Sequence, residues 1–185
     1  MERSLMIPQL PGPVKLLAGL LYTDPELLQK ALQRLVNIFG PVDYQSEIFN
    51  FTVSEYYVPE MGAPIYRQFI SFENLVLPDE LAEIKLESND IEAGLSLRKS
   101  RKVNIDTGYM DFDKVVLASA KYNGQKIYLS KGIWADLTLQ FYKGKYRPYP
   151  WSFPDFKSEL YQDVFLEIRK LYKKQIKLTD KQNAS

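Results

Sequence analysis

The densest run of polar chemistry in the chain is Arg101-Lys102-Val103-Asn104-Ile105-Asp106-Thr107-Gly108-Tyr109. With Val103 and Ile105 turned to a core, Asn104 and Asp106 project together from the other face of a strand. A carboxylate there can act as a base or a Mg²⁺ ligand, while the amide orients a substrate and Tyr109 stacks on it. Arg101 can hold charge nearby. A Gly turn after the strand end, leading into a helix, is a usual place for ligand contacts. The plainer reading is a turn whose backbone N–H groups Asp106 accepts from. Asp106 is therefore the candidate catalytic residue, and Arg101, Asn104 and Tyr109 are candidate ligand contacts.

A second string, Tyr56-Tyr57-Val58-Pro59-Glu60-Met61-Gly62 followed by Arg67, offers two rings, a carboxylate and a guanidinium. Such a set can hold a planar or phosphorylated ligand. Pro59 and Pro64 stiffen the loop. The alternative is a loop that packs its tyrosines onto a sheet. Tyr56, Tyr57, Glu60 and Arg67 join the candidate contacts. Asp106, Asp111 and Asp113 do not have the spacing of a calcium loop, and helix capping by Asp111 accounts for the latter two without a metal. No metal site and no cofactor are assigned, Mg²⁺ being the ion that such oxygen ligands would favour. Lys85 lies beside an apolar helical stripe, where it can anchor a phosphate, pair with Glu73 or Glu92, or snorkel to solvent. The basic run Arg98-Lys99-Ser100-Arg101-Lys102 has no interleaved aromatic residues for stacking single-stranded nucleic acid.

What is missing narrows the chemistry further. The 185 residues include no cysteine and no histidine. That removes disulfides, thiolate nucleophiles, thiolate metal sites, Ser-His-Asp triads and imidazole bases. Any catalysis falls to carboxylates, Lys, Tyr, hydroxyls or Mg²⁺. Apolar residues at 45% and charged residues at 25% are ordinary for a globular domain. The 24 basic and 23 acidic residues leave a net charge of +1, no broad footprint for nucleic acid. The apolar run from Leu16 to Leu21 follows Pro11 and Pro13 and precedes no small-residue cleavage site, so it does not read as a secretory signal. No stretch reaches the roughly 18 apolar residues of a membrane helix. The expectation is a cytoplasmic protein with no membrane partner.

These side chains need elements to position them. Val14 to Tyr22 reads as a strand buried on both faces. Asp24-Pro25-Glu26 opens a helix, with Asp24 as its cap, an apolar face through Leu28, Leu32 and Val36 beside Leu27, Ala31 and Leu35, and a stop at Gly40-Pro41. Val42 to Phe51 reads as one strand with Val42, Tyr44 and Ile48 on its apolar face. Tyr66 to Val76 is the next strand. Leu77-Pro78-Asp79-Glu80 begins a helix with the stripe Leu81, Ile84, Ser88 and Ile91 and an end near Gly94. With Arg101 to Asp106 as a strand, the order is β-α-β-β-α-β, the split arrangement of ferredoxin-like folds, with both helices on one face of a mixed antiparallel sheet.

Beyond it, Asp111 to Ala120 reads as a short helix capped by Asp111. Lys126 to Leu129, Ile133 to Tyr142 and Lys145 to Tyr149 read as a three-strand meander turned at Lys131-Gly132 and Lys143-Gly144. Its middle strand would bury Ile133, Ala135, Leu137, Leu139 and Phe141 on one face. A last helix runs to about Gln175 on the stripe Leu160, Val164, Ile168 and Leu171, and the tail from Thr179 is polar and frayed.

Several strings, taken together, resemble a bacterial family of unknown function, the domain-of-unknown-function 4416 family. They are Gly12-Pro13-Val14-Lys15-Leu16, Tyr56-Tyr57-x-Pro59-Glu60-Met61-Gly62 and Ser71-Phe72-Glu73, then Arg101-x-Val103-Asn104-x-Asp106-x-Gly108-Tyr109, Val116-Leu117-Ala118-Ser119 and Trp151-x-x-Pro154-Asp155. They run collinearly over roughly residues 12 to 156. The chain departs from the pattern at Thr107, where the family has proline. The resemblance implies common descent and no mechanism. A GTP-binding label attached to similar sequences finds no support in the residues: there is no G-x-x-x-x-G-K-[ST] phosphate loop and no Asn-Lys-x-Asp guanine reader. A P-loop GTPase is excluded.

The sequence thus predicts an α+β fold: a ferredoxin-like split core extended by a C-terminal meander and a terminal helix. Residues 1–12 form an arm, 13–176 a single domain and 177–185 a polar tail. The expected function is binding of a small anionic ligand, a nucleotide or phosphorylated metabolite, in a Tyr/Asp/Arg-lined cleft. The other class is a non-enzymatic interaction or scaffold module that docks a protein through a sheet edge or the Tyr142–Phe156 segment.

Overall fold

The computed structural model describes residues 7–97 and 100–183. In chain order these form β1 (Val14–Tyr22), α1 (Pro25–Phe39), β2 (Val42–Gln45), β3 (Phe49–Asn50), the single turn α2 (Val58–Met61) and β4 (Tyr66–Val76). A 3₁₀ turn (Pro78–Glu80) then leads into α3 (Leu81–Gly94), followed by β5 (Val103–Met110), β6 (Lys114–Ser119), β7 (Ile127–Ser130), β8 (Ile133–Tyr142) and β9 (Lys145–Pro148). The short α4 (Pro154–Lys157) and the long α5 (Gln162–Asn183) complete the described chain. Strands pair in the order β2-β4-β1-β5-β6-β8-β7, with β3 added to β4 and β9 to β8, in one nine-stranded open sheet. Every pairing is antiparallel.

Helices cover both faces of this sheet, which is why β1 is buried along its whole length. Leu16, Ala18 and Leu20 face α1 and α3 and pack with Leu28, Leu35, Ile84 and Ile91. Leu17 faces the other way, into a cluster with Phe69, Leu139, Phe165 and Ile168 beneath α4 and α5. The one charge buried in this strand, Lys15, is paired with Asp43 and donates to Gln175 Oε1 at 2.7 Å. Burial pulls its ammonium pKa down against the pull of Asp43. Asp24 caps α1 as its sequence requires, Oδ1 accepting from the N–H groups of Glu26 and Leu27 at 2.9 and 3.2 Å. No helix among the described residues is long and apolar enough to cross a membrane.

Five elements differ from the sequence reading. The strand expected over Val42 to Phe51 breaks into β2 and β3, and Ile48, assigned to its buried face, is exposed. At the break, the Ser46 hydroxyl accepts from the Phe69 N–H at 2.9 Å, where a regular strand would offer a carbonyl. The turn expected at Thr107-Gly108 is a continuation of β5, paired to β1 as far as Met110. Thr107 is buried with its hydroxyl 3.1 Å from that of Ser88. The helix expected from Asp111 to Ala120 is strand β6. Asp111 does cap, but it caps a tight turn, accepting from the N–H groups of Asp113 and Lys114 at 2.8 Å.

The meander is also rearranged, because β7 and β9 share one edge of β8 while β6 occupies the other. A bulge opposite Val115 and Val116 switches faces along β8, so Ile133, Ala135 and Leu137 pack toward α3 while Leu139 and Phe141 pack toward α5. The predicted hairpin turns are present, with positive φ at Lys131-Gly132 and Lys143-Gly144. Finally, α5 continues to Asn183, past the predicted end and through the tail, and Leu160 is exposed ahead of it. The buried stripe begins at Tyr161, just ahead of the helix, and continues along it through Val164, Phe165, Ile168 and Tyr172.

Candidate functional site

Strands β5 and β6 pair only over Gly108–Met110 and Val115–Leu117, and then part. Gly108 is the last paired residue of β5, and a Cβ on it would lie 2.3 Å from the Val116 carbonyl oxygen. Above that point the edge of β5 has no strand beside it. Two side chains of α3 replace it: Glu92 Oε1 accepts from the Ile105 N–H at 2.8 Å, and Lys85 Nζ donates to the Ile105 carbonyl at 2.7 Å. A buried backbone pair is thereby satisfied without a ladder. The opening between the strands is a cleft of about 190 Å³, lined by Lys85, Asn89, Glu92, Asn104 and Asp106 on one side and by Ser119, Lys121, Lys126 and Asp136 on the other. Tyr56, Tyr57, Arg101 and Phe153 close its mouth.

A chain of charged hydrogen bonds runs along the floor. Arg101 holds Glu60 in a two-pronged pair, Nε to Oε1 at 2.7 Å and Nη2 to Oε2 at 2.8 Å, which fixes α2 over the cleft. Its Nη1 donates to Glu92 Oε2 at 3.1 Å and to Asn104 Oδ1 at 2.7 Å. Asn104 in turn donates to Asp106 Oδ1 at 2.8 Å, and Arg67 donates to Asp106 Oδ2 and Asp155 Oδ2, both at 2.9 Å. Arg67 is almost wholly buried, stacked among Phe51, Phe69 and Phe156. Gly19 makes room for it, since a Cβ there would lie 2.8 Å from Arg67 Nη1.

The electrostatics follow from burial against pairing. Burial alone would raise the Asp106 carboxyl, but Arg67 and Lys85 outweigh it and hold the group below its ordinary value. With both oxygens engaged, Asp106 is a fixed negative charge that orients Arg67 and Asn104. For Glu92 and Asp155 burial wins over their cations, and both carboxyls are raised. Asp136 is raised by burial as well, despite Lys126 at 3.4 Å. Raised carboxyls suit proton transfer better than a depressed one. Burial, reinforced by Asp106, also raises the Tyr57 phenol. The Tyr56 phenol goes the other way, because Lys121 donates to it at 2.8 Å.

The two strings singled out in the sequence therefore meet. Tyr56, Tyr57, Glu60, Arg67, Arg101, Asn104 and Asp106 belong to the cleft or its hydrogen-bond chain. Tyr109 does not: it lies on the α3 side of β5, packed with Leu81, Val116 and Leu137. Asp111 and Asp113 sit in the β5–β6 turn, and no group of three or more carboxylates able to hold a metal occurs among the described residues. Lys85 takes the Glu92 partner, at 3.7 Å, and not Glu73. Arg98 and Lys99 lie outside the described residues. Sequence reasoning missed Asn89, Lys121, Lys126, Asp136, Phe153 and Asp155 as site residues, although Phe153 and Asp155 stood in segments already noted, Tyr142–Phe156 and Trp151-x-x-Pro154-Asp155.

Comparison with protein families matches residues 12–172 to a domain of unknown function (DUF4416). The chain belongs to this family. The matched span takes in every strand of the sheet and every residue that lines the cleft, so the cleft of this chain lies within its DUF4416 domain. No curated protein and no solved structure matches the chain.

Proposed function

We propose that this DUF4416 domain binds a small anionic metabolite, phosphorylated or carboxylated, with nucleotides among the candidates, where β5 and β6 part. The observation that carries this reading is the convergence of Lys85, Arg101, Lys121 and Lys126 from three separate segments on one cleft. Lys85 and Arg101 are committed to Glu92 and Glu60. Lys121 has no carboxylate within ion-pair distance among the described residues, and its ammonium donates to a phenol. An anionic oxygen is a stronger acceptor for that ammonium than the phenol is. Asn89 and Tyr57 add neutral polar residues to the lining. If the site also does chemistry, Asp106 anchors charge and Glu92 or Asp136 handles the proton. The order β2-β4-β1-β5 with α1 and α3 on one face also supports a ferredoxin-like split core, to which β6–β9 and α5 are additions. A cytoplasmic setting belongs to the same reading.

Titration calorimetry against inorganic phosphate, sugar phosphates, carboxylic acids and nucleotides tests the proposal. At least one should bind, and Lys121→Ala should weaken it about tenfold, the loss of roughly one charge-assisted hydrogen bond. Silence toward every member at millimolar concentration would overturn it.

A second reading, a non-enzymatic interaction module, draws on the outer edge of the sheet. All of β7 is exposed, and its free edge can accept an added strand. Tyr122 and Tyr128 pack on Trp134 beside it, with ring centroids 4.9 and 5.0 Å away. Within the Tyr142–Phe156 segment, Tyr142, Trp151 and Phe153 are exposed. Light scattering that finds a stable oligomer favours this reading, and a lone monomer counts against it.

A further inference from the structure

Beside the polar cleft, across Tyr57, lies a second hollow of about 230 Å³, which shares Tyr56, Tyr57, Asp106 and Phe153 with it. Phe51, Val53, Arg67, Pro154 and Asp155 make up most of the remaining wall. Ligand pockets usually measure about 300–1,000 Å³. Each hollow is smaller than that, and the two together fall within the range, so one ligand spanning both is the natural occupant.

The two compartments differ in lining and in sign. In the second, Phe51 and Tyr57 meet at an interplanar angle of 69° and Tyr56 and Tyr57 at 89°, the corner of an aromatic box. Ring faces carry negative potential, and boxes of this kind hold cations against them. Two carboxylates, Asp106 and Asp155, line this hollow against one guanidinium, Arg67, a surplus of one negative charge. In the polar cleft, with Asp106 counted once beside its partner Arg67 and Glu60 counted with the Arg101 it holds, four cations (Lys85, Arg101, Lys121, Lys126) face three carboxylates (Glu60, Glu92, Asp136), a surplus of one positive charge. A ligand with an anion at one end only would leave the second surplus unanswered.

We propose that the ligand is a zwitterion, whose phosphate or carboxylate sits against Lys121 and Lys126 while a linked ammonium occupies the aromatic hollow beside Asp106 and Asp155. This rests on the anion-binding reading of the polar cleft and adds the chemistry of the other end. Amino-acid-like and amino-alcohol phosphate compounds are the class it selects. Val53 and Tyr56, both exposed at the rim, leave an entry for such a molecule.

The test compares matched probes by calorimetry on the full chain: phosphocholine and phosphoethanolamine against 3,3-dimethylbutyl phosphate, which replaces the quaternary nitrogen by carbon. The amines should bind about tenfold more tightly than the carbon isostere. Val53→Lys, an exposed position whose change leaves the core alone, should abolish that preference while the isostere keeps its affinity. Phe51→Leu, which keeps apolar bulk and removes the ring, should shrink the preference in the same direction. Lys121→Ala should weaken amines and isostere by the same factor. Equal affinity for amines and isostere would overturn the zwitterion and leave the anion site standing. Binding of none of these probes would also overturn it, and the anion reading falls with it only if sugar phosphates, carboxylic acids and nucleotides are silent too.

Discussion

Glu92 is the residue on which cleft, helix and strand depend together. It accepts from the Ile105 N–H, pairs with Arg101 and lies 3.7 Å from Lys85, yet burial still leaves its carboxyl raised. A carboxyl raised on folding makes the native state the better proton binder between the unfolded and folded values. Stability therefore falls as pH climbs through that window, from the ordinary glutamate value of about 4.3 upward. Asp106 is depressed and acts in the other direction: its contribution is complete above the ordinary aspartate value of about 3.9 and is lost as pH falls through the folded value. The two windows do not overlap. Glu92→Gln keeps an oxygen for Ile105 and removes the titration, so urea denaturation from about pH 4 to 8 should show a shallower decline with the acid limb unchanged. A decline as steep as in the unsubstituted protein would show that Glu92 does not set it. Asp155 and Asp136 titrate in the same direction and account for what remains.

Among the elements, the parting of β5 from β6 decides where a site can exist, and Gly108 is its pivot. A methyl there meets the Val116 carbonyl oxygen at 2.3 Å and Leu117 Cδ2 at 2.7 Å, and a backbone oxygen cannot swing aside. Gly108→Ala should cost about 1–3 kcal/mol by overpacking, measured by thermal or urea unfolding, and should weaken ligand binding in parallel. Unfolding indistinguishable from that of the unsubstituted chain would mean that the strands adjust freely.

The same pivot explains what could and could not be read from the residues alone. Strand alternation places Asn104 and Asp106 on one face, and local capping rules fix α1 at Asp24 and the hairpins at their Lys-Gly turns. Those are near-neighbour effects. Val115-Val116-Leu117-Ala118 is a short apolar run compatible with helix or strand, and only its β-branched pair hints at the answer. Lys121, Lys126 and Asp136 reach the cleft through the pairing of β6 with β8, a register set by distant contacts. No local pattern encodes it. The bulge that moves Leu139 to the opposite face from Leu137 is hidden in the same way.

For the whole molecule, the covering of the second sheet face by α4 and α5 makes the domain three layers thick. Phe165 joins Phe69, Tyr146 and Phe156 there, ring centroids 5.3, 5.7 and 6.0 Å away. Phe165→Ala should cost about 3–5 kcal/mol and lower the urea midpoint accordingly. A loss under about 1 kcal/mol would mean that α5 is not integral to the core. The two tryptophans fall on one side of this architecture. Trp134 lies between Tyr122 and Tyr128 on the outer strands, and Trp151 stacks on Tyr149 with its indole N–H on the Leu137 carbonyl at 2.8 Å. Indole emission will thus report on the β8 margin, while the half built on β1, β4 and α1 stays dark at that wavelength. Melting curves followed by emission and by circular dichroism will coincide if the margins unfold as one cooperative body, and will separate if the β8 side frays first.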